Sequence, residues 1–527
     1  MEQPLPDDPS ESAGETPPVH PEPPSISHST LGRIAVRITV WASIGTYLNQ
    51  FIAFGATLVM TRLLDPSVFG TFSLATFWYT LLNLRPKAGL NYSAIRRPES
   101  NNTLLGTYWA VDVVLAIGSL VLSVIVGLVL LYLNAMFPSL NYTPAVVISL
   151  VVLMLVDAAS ASFSPLSMIL EKELQVSRLA LVALGAAIIA YAVAIMLAFG
   201  GAGIGALLAI NAITMLVSGI GIVIVCRRRW PSAFKGRWHF DRALARRLVR
   251  DGLPTGLSLT AFNSIVTQYD NFLIGTFVGV TTLGYYDRAY RIAHWTNILL
   301  TLVISRVGFL TFSRVRDDAP RLTQAVRLSL WVLLTLGIPM TLMLFFGAAD
   351  IVKILYTDRY SESAYFLRFL TIYSLFSPFI SLAFWLAVSV GDHRRSVFLT
   401  TVQAATLIIL GTPFTLWWGV NGTLVAVLIT MVVAFVLGLW YVFHEVPLSI
   451  REVFGAHTVA LFVAVLALCL IQLWSNWAAL GALGRIVIIS FLGPGLFAGV
   501  LLLLRPAEMR ERIGYVRQQF RTTRRVT

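Results

Sequence analysis

The sequence contains little charge for its length. Only 12% of its 527 residues are Asp, Glu, Lys or Arg, whereas 57% are hydrophobic. Soluble domains carry about 25% charged residues. So few charged side chains cannot cover the surface of soluble cores built from this many apolar residues. The composition excludes an ordinary soluble enzyme, a disordered protein and a porin-type barrel, whose strands alternate apolar and polar residues. It predicts an all-α polytopic membrane protein.

Other absences narrow the chemistry. The two cysteines, Cys226 and Cys469, lie in or beside apolar runs and cannot form a disulfide framework. The sequence has no H-E-x-x-H, G-x-S-x-G or Walker A motif, and no two of its seven histidines are spaced i, i+4. We therefore expect no enzymatic activity, no cofactor and no metal site.

What the sequence has in abundance is long apolar runs. Stretches of about 18 or more apolar residues recur along the chain, each long enough for a transmembrane helix. Their number predicts about fourteen spans, arranged as two six-helix bundles and two additional C-terminal helices. The fourth span is expected at roughly 145–169 and the seventh at roughly 253–276.

The positions of the basic residues predict the orientation. Lys and Arg fall in alternate connections, for example Arg85 and Lys87 after the second span, and a dense block at 227–251. By the positive-inside rule both termini are expected to be cytoplasmic, which accounts for the net charge of +13 without nucleic acid. Because the block at 227–251 includes Trp230 and Trp238 beside apolar spans, contact with membrane lipids is favoured over nucleic acid.

The ends of the chain differ from the rest. The first 30 residues hold eight prolines and six acidic residues but no Lys or Arg, so they cannot bury enough apolar surface to fold. We expect a disordered cytoplasmic tail. The predicted domains are this tail at 1–30, a six-helix bundle at 31–226, a basic inter-lobe linker at 227–251, a second six-helix bundle at 252–445, two further helices at 446–504 and a basic cytoplasmic tail at 505–527.

A short internal repeat supports the two bundles. LLDPSVFGTFSLA (63–75) aligns with FVGVTTLGYYDRA (277–289) at an offset of 214 residues, which places Gly70 over Gly284. Both copies lie at the predicted outer turn between the first two spans of their half. An even number of spans per half gives both halves the same orientation, and this predicts parallel repeats about an axis along the membrane normal.

Two longer segments carry a resemblance to a known family. VMTRLLDPSVFGTFSLA (59–75) and YDNFLIGTFVGVTTLGYYDRAYRIA (269–293) resemble the signature regions of bacterial polysaccharide transporters. These are lipid-linked oligosaccharide flippases of the O-antigen and exopolysaccharide type. They belong to the multidrug/oligosaccharidyl-lipid/polysaccharide (MOP) exporter superfamily, which also holds the multidrug and toxin extrusion (MATE) transporters and the lipid II flippase. The resemblance covers most of 31–445. It implies a MATE-like fold with a central cavity and alternating access.

The resemblance also implies a function. The protein would move undecaprenyl-diphosphate-linked repeat units across the cytoplasmic membrane for exopolysaccharide, capsule or O-antigen biosynthesis, with a glycan polymerase and the export machinery as candidate partners. One alternative is a cation-coupled MATE-type multidrug exporter, which needs a compact acidic site in the first bundle, where only Asp112 and Asp157 are available. A second is a membrane glycan polymerase or ligase. Such enzymes need a sizeable outer loop, and the longest one here, at about 348–364, is short.

Ionisable residues within the spans are candidate functional residues, because each costs about 2.5–3.5 kcal/mol to insert. Asp270 and Arg288 are expected at matching depth on helices joined by a short turn, where they could pair. Arg288 and Arg291 are i, i+3 neighbours, and Asp287 lies one turn before Arg291. Either the arginines face the cavity and bind a pyrophosphate with their planar guanidinium groups, or Asp270 and Arg288 form a structural pair.

The predicted substrate cavity includes polar and aromatic residues as well. Asn49 and Gln50 would hydrogen-bond sugar hydroxyls or serve as helix contacts, and Tyr286 would stack on a sugar ring or anchor the interface. Asp157 is the candidate ion-coupling residue, since it is alone in its span, whereas Asp112 is expected to snorkel from a span end. His294 is expected to be structural. The cavity candidates are Arg288, Arg291, Asp270, Asn49, Gln50, Asp287 and Tyr286.

Overall fold

The described part of the chain is helical throughout. A computed structural model describes residues 28–97, 102–173, 175–231, 238–257, 260, 262–303, 309–474 and 480–506. Within these ranges every regular element is a helix. The N-terminal tail up to residue 27 and the C-terminal tail from residue 507 lie outside the described residues, so their predicted disorder and location stay predictions.

The helices are numbered here in chain order. Helices α1 to α9 of the first half are His28–Leu63, Pro66–Leu82, Leu84–Ala88, Leu90–Ile95, Asn102–Met136, Pro144–Ser160, Ser164–Lys172, Val176–Phe199 and Ile204–Arg229. Helices α10 to α20 are Arg242–Gly256, Phe262–Leu273, Val280–Val303, Phe309–Val315, Ala319–Phe346, Ala348–Leu355, Ser363–Val390, His393–Trp418, Val420–Glu445, Ile450–Gln472 and Ala482–Leu504.

The helices confirm a polytopic membrane protein. Among the described residues, nine helices are long and apolar enough to cross a bilayer, or ten if the bent pair α6–α7 is one span. The predicted total of about fourteen stays a prediction. Two of the expected spans are less clearly transmembrane by length or by hydropathy. Helix α2 has only 17 residues, and α12 carries Asp287, Arg288 and Arg291. In the description below, the end of the bundle that holds the α1–α2 connection is called the outer end, following the predicted orientation.

The fourth predicted span is not continuous. A bend of 59° separates α6 from α7. Pro165 lies in the first turn of α7, where its ring and its missing N–H prevent the helical hydrogen bonds of α6 from continuing. The bend brings the last turn of α6 and the first turn of α7 to the same interior space.

The predicted inter-lobe linker ends inside a helix. Helix α10 begins at Arg242, where the Asp241 side chain caps it by accepting hydrogen bonds from the N–H groups of Ala243 and Leu244. It continues past the predicted linker boundary at 251 to Gly256 and packs against α3, α4 and α5 of the first half. The basic segment is therefore partly ordered on the first bundle. The division of the chain into domains otherwise stays a prediction.

Packing joins the two halves through a central pair of helices. Helix α2 packs on α6 in the first half and on α12 in the second, and α12 in turn packs on α16. One buried apolar core extends across this contact, from Leu74 and Leu150 to Tyr286 and Leu367. The final helices α19 and α20 pack on each other and on α14. Together with the contact of α20 with α15, this packing attaches them to the second half.

The α2–α12 crossing is closely packed and reciprocal. A Cβ atom added at Gly70 would overlap the carbonyl oxygen of Val280, and one added at Gly284 would overlap that of Pro66. At the offset of 214 residues, Gly284 corresponds to Gly70 and Val280 to Pro66. Gly70 thus contacts Val280, and Gly284, its equivalent in the other half, contacts Pro66, which is the equivalent of Val280. This reciprocity is the contact expected at a two-fold axis between parallel repeats.

We predict that Gly70→Ala and Gly284→Ala each reduce the amount of folded protein. The added methyl group has no space against the facing carbonyl, and overpacking of this kind costs about 1–3 kcal/mol. The measurement is the monodisperse fraction in detergent by size-exclusion chromatography, together with the thermal midpoint. Gly55→Ala and Gly185→Ala are matched controls, because a Cβ atom at either position meets nothing within 4 Å. Equal behaviour of all four variants would contradict the close crossing.

Candidate functional site

Two cavities lie among the helices. The first-bundle cavity, of about 810 Å³, is lined mainly by α4, α6, α7, α8 and α9. The inter-lobe cavity, of about 230 Å³, lies between α1 and α2 on one side and α11 and α12 on the other. The polar and aromatic residues that line the inter-lobe cavity include Gln50, Thr57, Ser73, Thr76, Asp270, Asn271, Asp287, Arg291, His294 and Trp295.

Arg291 is the most accessible charge in the inter-lobe cavity. Its side chain is 45% exposed, and its Nε lies 3.3 Å from Oδ2 of Asp287, one turn earlier on α12. The expected i, i+4 proximity of these residues is therefore confirmed. The same carboxylate is also bonded by Arg288. Two guanidinium groups share one carboxylate, which leaves a positive charge at the cavity wall with donors of Arg291 facing open space.

Arg288 and Asp270 do not form the expected pair. The Arg288 side chain is 3% exposed, pairs with Asp287 and lies with its guanidinium 3.9 Å from the ring centroid of Phe69 on α2. Asp270 instead accepts a hydrogen bond of 2.6 Å from the Tyr286 hydroxyl. Asp270 meets α12 close to the expected depth, but the residue that it meets is Tyr286, which precedes Arg288 by two residues. Such a spacing turns a side chain about 200° around a helix. Tyr286 therefore faces α11, and Arg288 faces the first half.

The other predicted cavity residues divide between different environments. Tyr286 is fully buried with its ring edge against Phe366, so no face of it is open to a sugar ring in this conformation. Asn49 lines the first-bundle cavity, whereas Gln50 lines the inter-lobe cavity. These consecutive residues of α1 stand between the two spaces. Their roles in binding a substrate stay predictions.

The first-bundle cavity contains an ion cluster centred on Arg85. Its Nε and Nη2 lie 2.9 and 2.7 Å from the two carboxylate oxygens of Asp112, and its Nη1 lies 3.0 Å from Oδ2 of Asp157. Tyr79 also donates to Asp157, at 3.2 Å. The Arg85 side chain is only 12% exposed. Asp157 is the lone ionisable residue of its span, as expected, but Arg85 and Tyr79 reach it from neighbouring elements, and the expectation that Asp112 snorkels from a span end is wrong.

Local structure explains why Arg85 points inward. The Asn83 side chain caps the short helix α3 by accepting a hydrogen bond from the Arg85 backbone N–H. This cap turns the chain directly after α2, and the bend between α6 and α7 brings Asp157 towards it. Sequence reasoning assigned Arg85 to the orientation signal alone. The missed clue was that two carboxylates within the same half require a cation, and Arg85 is the first one after the second span.

A second missed residue is His294. It lines the inter-lobe cavity and stacks on Tyr290, with ring centroids 5.4 Å apart. Asp287, Arg291 and His294 are spaced i, i+4 and i+7, which places them on one face of α12. That spacing was available in the sequence. The expectation that His294 is structural overlooked this spacing.

Contacts between the two halves narrow the inter-lobe cavity at both ends. At the outer end, the Tyr360 hydroxyl donates to the Leu64 carbonyl at 2.8 Å, and Arg359 lies 3.3 Å from Asp65. At the inner end, the Trp295 ring packs against Phe51 and Phe54 of α1, with centroids 4.9 and 5.1 Å apart. All of these contacts join the first half to the second. Opening the cavity in either direction therefore requires the halves to separate at one end.

Residues at the outer end between α15 and the start of α16 also form hydrogen bonds with the backbone of α12. Tyr356 donates a hydrogen bond of 3.1 Å to the Arg288 carbonyl. Burial raises the pKa of Tyr356 to about 12, so the phenol stays protonated and remains a donor at neutral pH. Ser363 donates similarly to the Tyr285 carbonyl, at 2.9 Å. These bonds fix the segment that carries the arginines.

Comparison with known proteins gives a consistent result. Residues 59–365, more than half of the chain, match the model of a family described as polysaccharide biosynthesis protein. A curated relative, the succinoglycan biosynthesis transport protein ExoT of Rhizobium meliloti (strain 1021), is 26% identical over 340 residues. That alignment covers 64% of this chain and 65% of the relative, slightly less than two thirds of its length.

Solved structures show the same fold. Lipid II flippase MurJ in an inward closed conformation has a TM-score of 0.69 at 15% identity, over 89% of this chain and all of that one. A multidrug resistance MATE family transporter of the MOP superfamily, in an inward-facing conformation, has a TM-score of 0.57 at 18% identity. It covers 77% of this chain and 98% of that one. At such identities the similarity establishes the fold alone.

We predict that Arg85→Ala strongly lowers stability, because it leaves two buried carboxylates without their cation. Breaking a buried ion pair costs about 3–5 kcal/mol. The measurement is the thermal midpoint of the purified chain in detergent. Arg96→Ala, at an exposed position nearby, is the control. The triple variant Arg85→Ala, Asp112→Asn, Asp157→Asn should recover part of the loss. A midpoint for Arg85→Ala equal to that of the control would contradict the cluster.

Proposed function

The chain belongs to the polysaccharide biosynthesis protein family, and on this premise we propose that it moves a lipid-linked oligosaccharide across the bacterial cytoplasmic membrane by alternating access. In this proposal both termini are cytoplasmic. The cargo is an undecaprenyl-diphosphate-linked repeat unit for exopolysaccharide, capsule or O-antigen biosynthesis. A glycan polymerase and the export machinery would consume it on the far side.

The observation that carries the proposal is the accessible guanidinium of Arg291 in the inter-lobe cavity. A planar guanidinium holds phosphate oxygens at two points, and it is positively charged at every physiological pH. Asp287 cannot neutralise Arg291 fully, because Arg288 shares the same carboxylate. A pyrophosphate that carries the negative charge of a lipid-linked sugar would complete this site.

Neutral polar groups beside Arg291 suit the sugar part of the cargo. Gln50 and Asn271 offer amides, and Ser73 and Thr76 on α2 offer hydroxyls, all lining the same cavity. Amides and hydroxyls both donate and accept hydrogen bonds, as sugar hydroxyls do. The halves contribute unequally: the charge lies on the second half, and the first half supplies neutral donors and acceptors. Such an asymmetric cavity suits an amphiphilic molecule.

The size of the inter-lobe cavity supports alternating access. Small-molecule sites are typically about 300–1,000 Å³. At about 230 Å³ the cavity is too small for an oligosaccharide, and contacts between the halves narrow it at both ends. We infer that the structure represents a contracted state that must open to take up the headgroup. Separation of Trp295 from Phe51 and Phe54 would admit the headgroup from the inner side. Separation of Tyr360 from Leu64 would release it to the outer side.

The alternative functions receive less support. A cation-coupled drug exporter needs carboxylates that are free to bind a proton or an ion, yet Asp112 and Asp157 are both bonded to Arg85. The ion-coupling role of Asp157 therefore stays a prediction that this geometry does not favour. A glycan polymerase or ligase needs a large outer segment. Between α14 and α16 the outer connection is only the short helix α15 and a turn.

Deletion of the gene tests the proposal directly. We expect lipid-linked oligosaccharide to accumulate in the inner leaflet while surface glycan decreases, and expression of the intact chain should restore both. Leaflet-selective enzymatic labelling of the lipid-linked sugar measures the distribution. Normal surface glycan together with increased drug sensitivity would overturn the proposal in favour of a drug exporter.

Substitution of the two arginines of α12 separates binding from packing. Arg291→Ala should reach normal protein levels yet reduce transport by about 10- to 100-fold, because a charge-assisted hydrogen bond contributes about 1.5–3 kcal/mol. Arg291→Lys should recover only part of this, since it keeps the charge without the planar fork. Arg288→Ala should instead lower the level of folded protein, because Arg288 is buried against Phe69.

The measurements are complementation of surface glycan and membrane protein level by immunoblot. Arg394→Ala, an exposed arginine at the start of α17, serves as the control for loss of one positive charge. Full complementation by Arg291→Ala at normal protein level would remove Arg291 from the binding site.

A further inference from the structure

A groove on the first bundle lies outside both cavities. It runs between α5 and α10, has a volume of about 610 Å³ and is lined by Val111, Arg242, Ala245, Arg246, Val249 and Arg250. The three arginines are spaced i, i+4 and i+8, so they project from one face of α10 over two turns. All three are exposed. We refer to this feature as the α5–α10 groove.

The α5–α10 groove lies at the level of the lipid headgroups. Helix α5 has 35 residues, about 52 Å at 1.5 Å per residue, whereas the hydrocarbon core is about 30 Å thick. Trp109 and Tyr132 are both exposed on this helix, and their spacing corresponds to about 34 Å. Exposed aromatic residues at this spacing mark the two membrane interfaces. Val111 lies next to the inner one, and so does the groove.

An apolar surface leads away from the groove along α5. From one turn beyond Val111 towards the outer end, a stripe of large apolar side chains is exposed. These residues are Val114, Ile117, Val121, Ile125 and Leu128. The stripe faces the hydrocarbon, because it lies between the two aromatic residues that mark the interfaces. The groove is therefore a basic surface that continues into an apolar track, the exposed stripe of α5.

The acidic residues nearest to the groove are already engaged. Asp241 caps the start of α10 by accepting from Ala243 and Leu244. Asp251 lies 3.2 Å from Arg97. Among the described residues, no ion pair involves Arg242, Arg246 or Arg250. The groove thus presents three arginines that no ion pair of the described residues engages.

We propose that the α5–α10 groove binds one anionic phospholipid. Its phosphate lies over Arg242, Arg246 and Arg250, and an acyl chain follows the apolar stripe of α5. Guanidinium groups hold phosphate oxygens in bidentate fashion, and arginines close to a membrane surface attract anionic headgroups. The acidic segment at the start of the chain also complements the charge, but a Pro-rich acidic peptide makes no use of an apolar track in the bilayer. The observations therefore favour the lipid.

The bound lipid would connect the membrane to the contact between the halves. Helix α10 packs through Gly252 and Gly256 onto the backbone of Lys87, Ala88 and Gly89 in the first half. It leads into α11, which carries Asp270 at the inter-lobe cavity. A lipid that bridges α10 and α5 holds this packing in place. Anionic lipid should therefore favour the state in which the inner end is closed.

Native mass spectrometry of the full chain tests the proposal. The protein is purified, delipidated and supplied with phosphatidylglycerol or phosphatidylcholine of the same acyl chains. We expect bound phosphatidylglycerol on the wild-type chain, and at least about a tenfold weaker affinity for the variant Arg242→Gln, Arg246→Gln, Arg250→Gln, because each arginine near the headgroups adds attraction. The matched control Arg227→Gln, Arg228→Gln, Arg229→Gln removes the same charge from exposed positions at the end of α9 and should bind normally.

Further arms identify the source of any binding. Arg246→Gln alone, the central position, replaces the triple variant if the latter does not fold, as judged by size-exclusion chromatography. Millimolar inorganic phosphate and a peptide of residues 1–27 are added as competitors, and neither should displace the lipid. The proposal is overturned by equal affinity for the two lipids, by undiminished binding of the groove variants, or by displacement with either competitor.

Discussion

A charge within the bilayer is costly unless a partner or a polar cavity compensates it, and in this protein the charged partners hold helices together. Arg85 joins the α2–α3 turn to Asp112 on α5 and Asp157 on α6. Asp287 holds both arginines of α12. Arg485 on α20 lies 2.9 Å from Asp350 on α15, which attaches the last two helices to the outer end of the second half. Removing one member of such a group leaves an uncompensated charge. We therefore expect substitution of any of these few ionic residues to lower the stability strongly.

These ionic contacts act together with the crossing of α2 and α12. The reciprocal glycines let the two helix backbones approach closely, so that the charged face of α12 stands directly beside the polar face of α2. Phe69 of the first half covers Arg288 of the second, while Arg291 remains open to the cavity. One arginine therefore contributes to the junction and the other to the site. The close approach that joins the halves also sets the width of the space between them.

The contacts that join the halves differ in kind between the two ends of the cavity. At the outer end, hydrogen bonds and an ion pair join the α1–α2 turn to the segment after α15. At the inner end, aromatic contacts of Trp295 and the packing of α10 on the first bundle join the halves. A transporter that alternates between two openings needs contacts that break on one side at a time. The inner side also meets the lipid headgroups, so the membrane itself can influence which side opens.

Composition and residue spacing are enough to predict the class of the molecule: a polytopic helical membrane protein with two related halves and an i, i+4 pair of Asp287 and Arg291. These features depend on composition, on the period of the helix and on a short repeat, all of which are local or additive along the chain. The partners of Asp157, Asp112 and Asp270 could not be read in the same way. They depend on the bend at Pro165, on the cap by Asn83 and on a 200° rotation between Tyr286 and Arg288. The depth of a residue along a helix follows from counting residues. The neighbour that its side chain faces within a bundle depends instead on how the helices pack, and that information is present only in the tertiary structure.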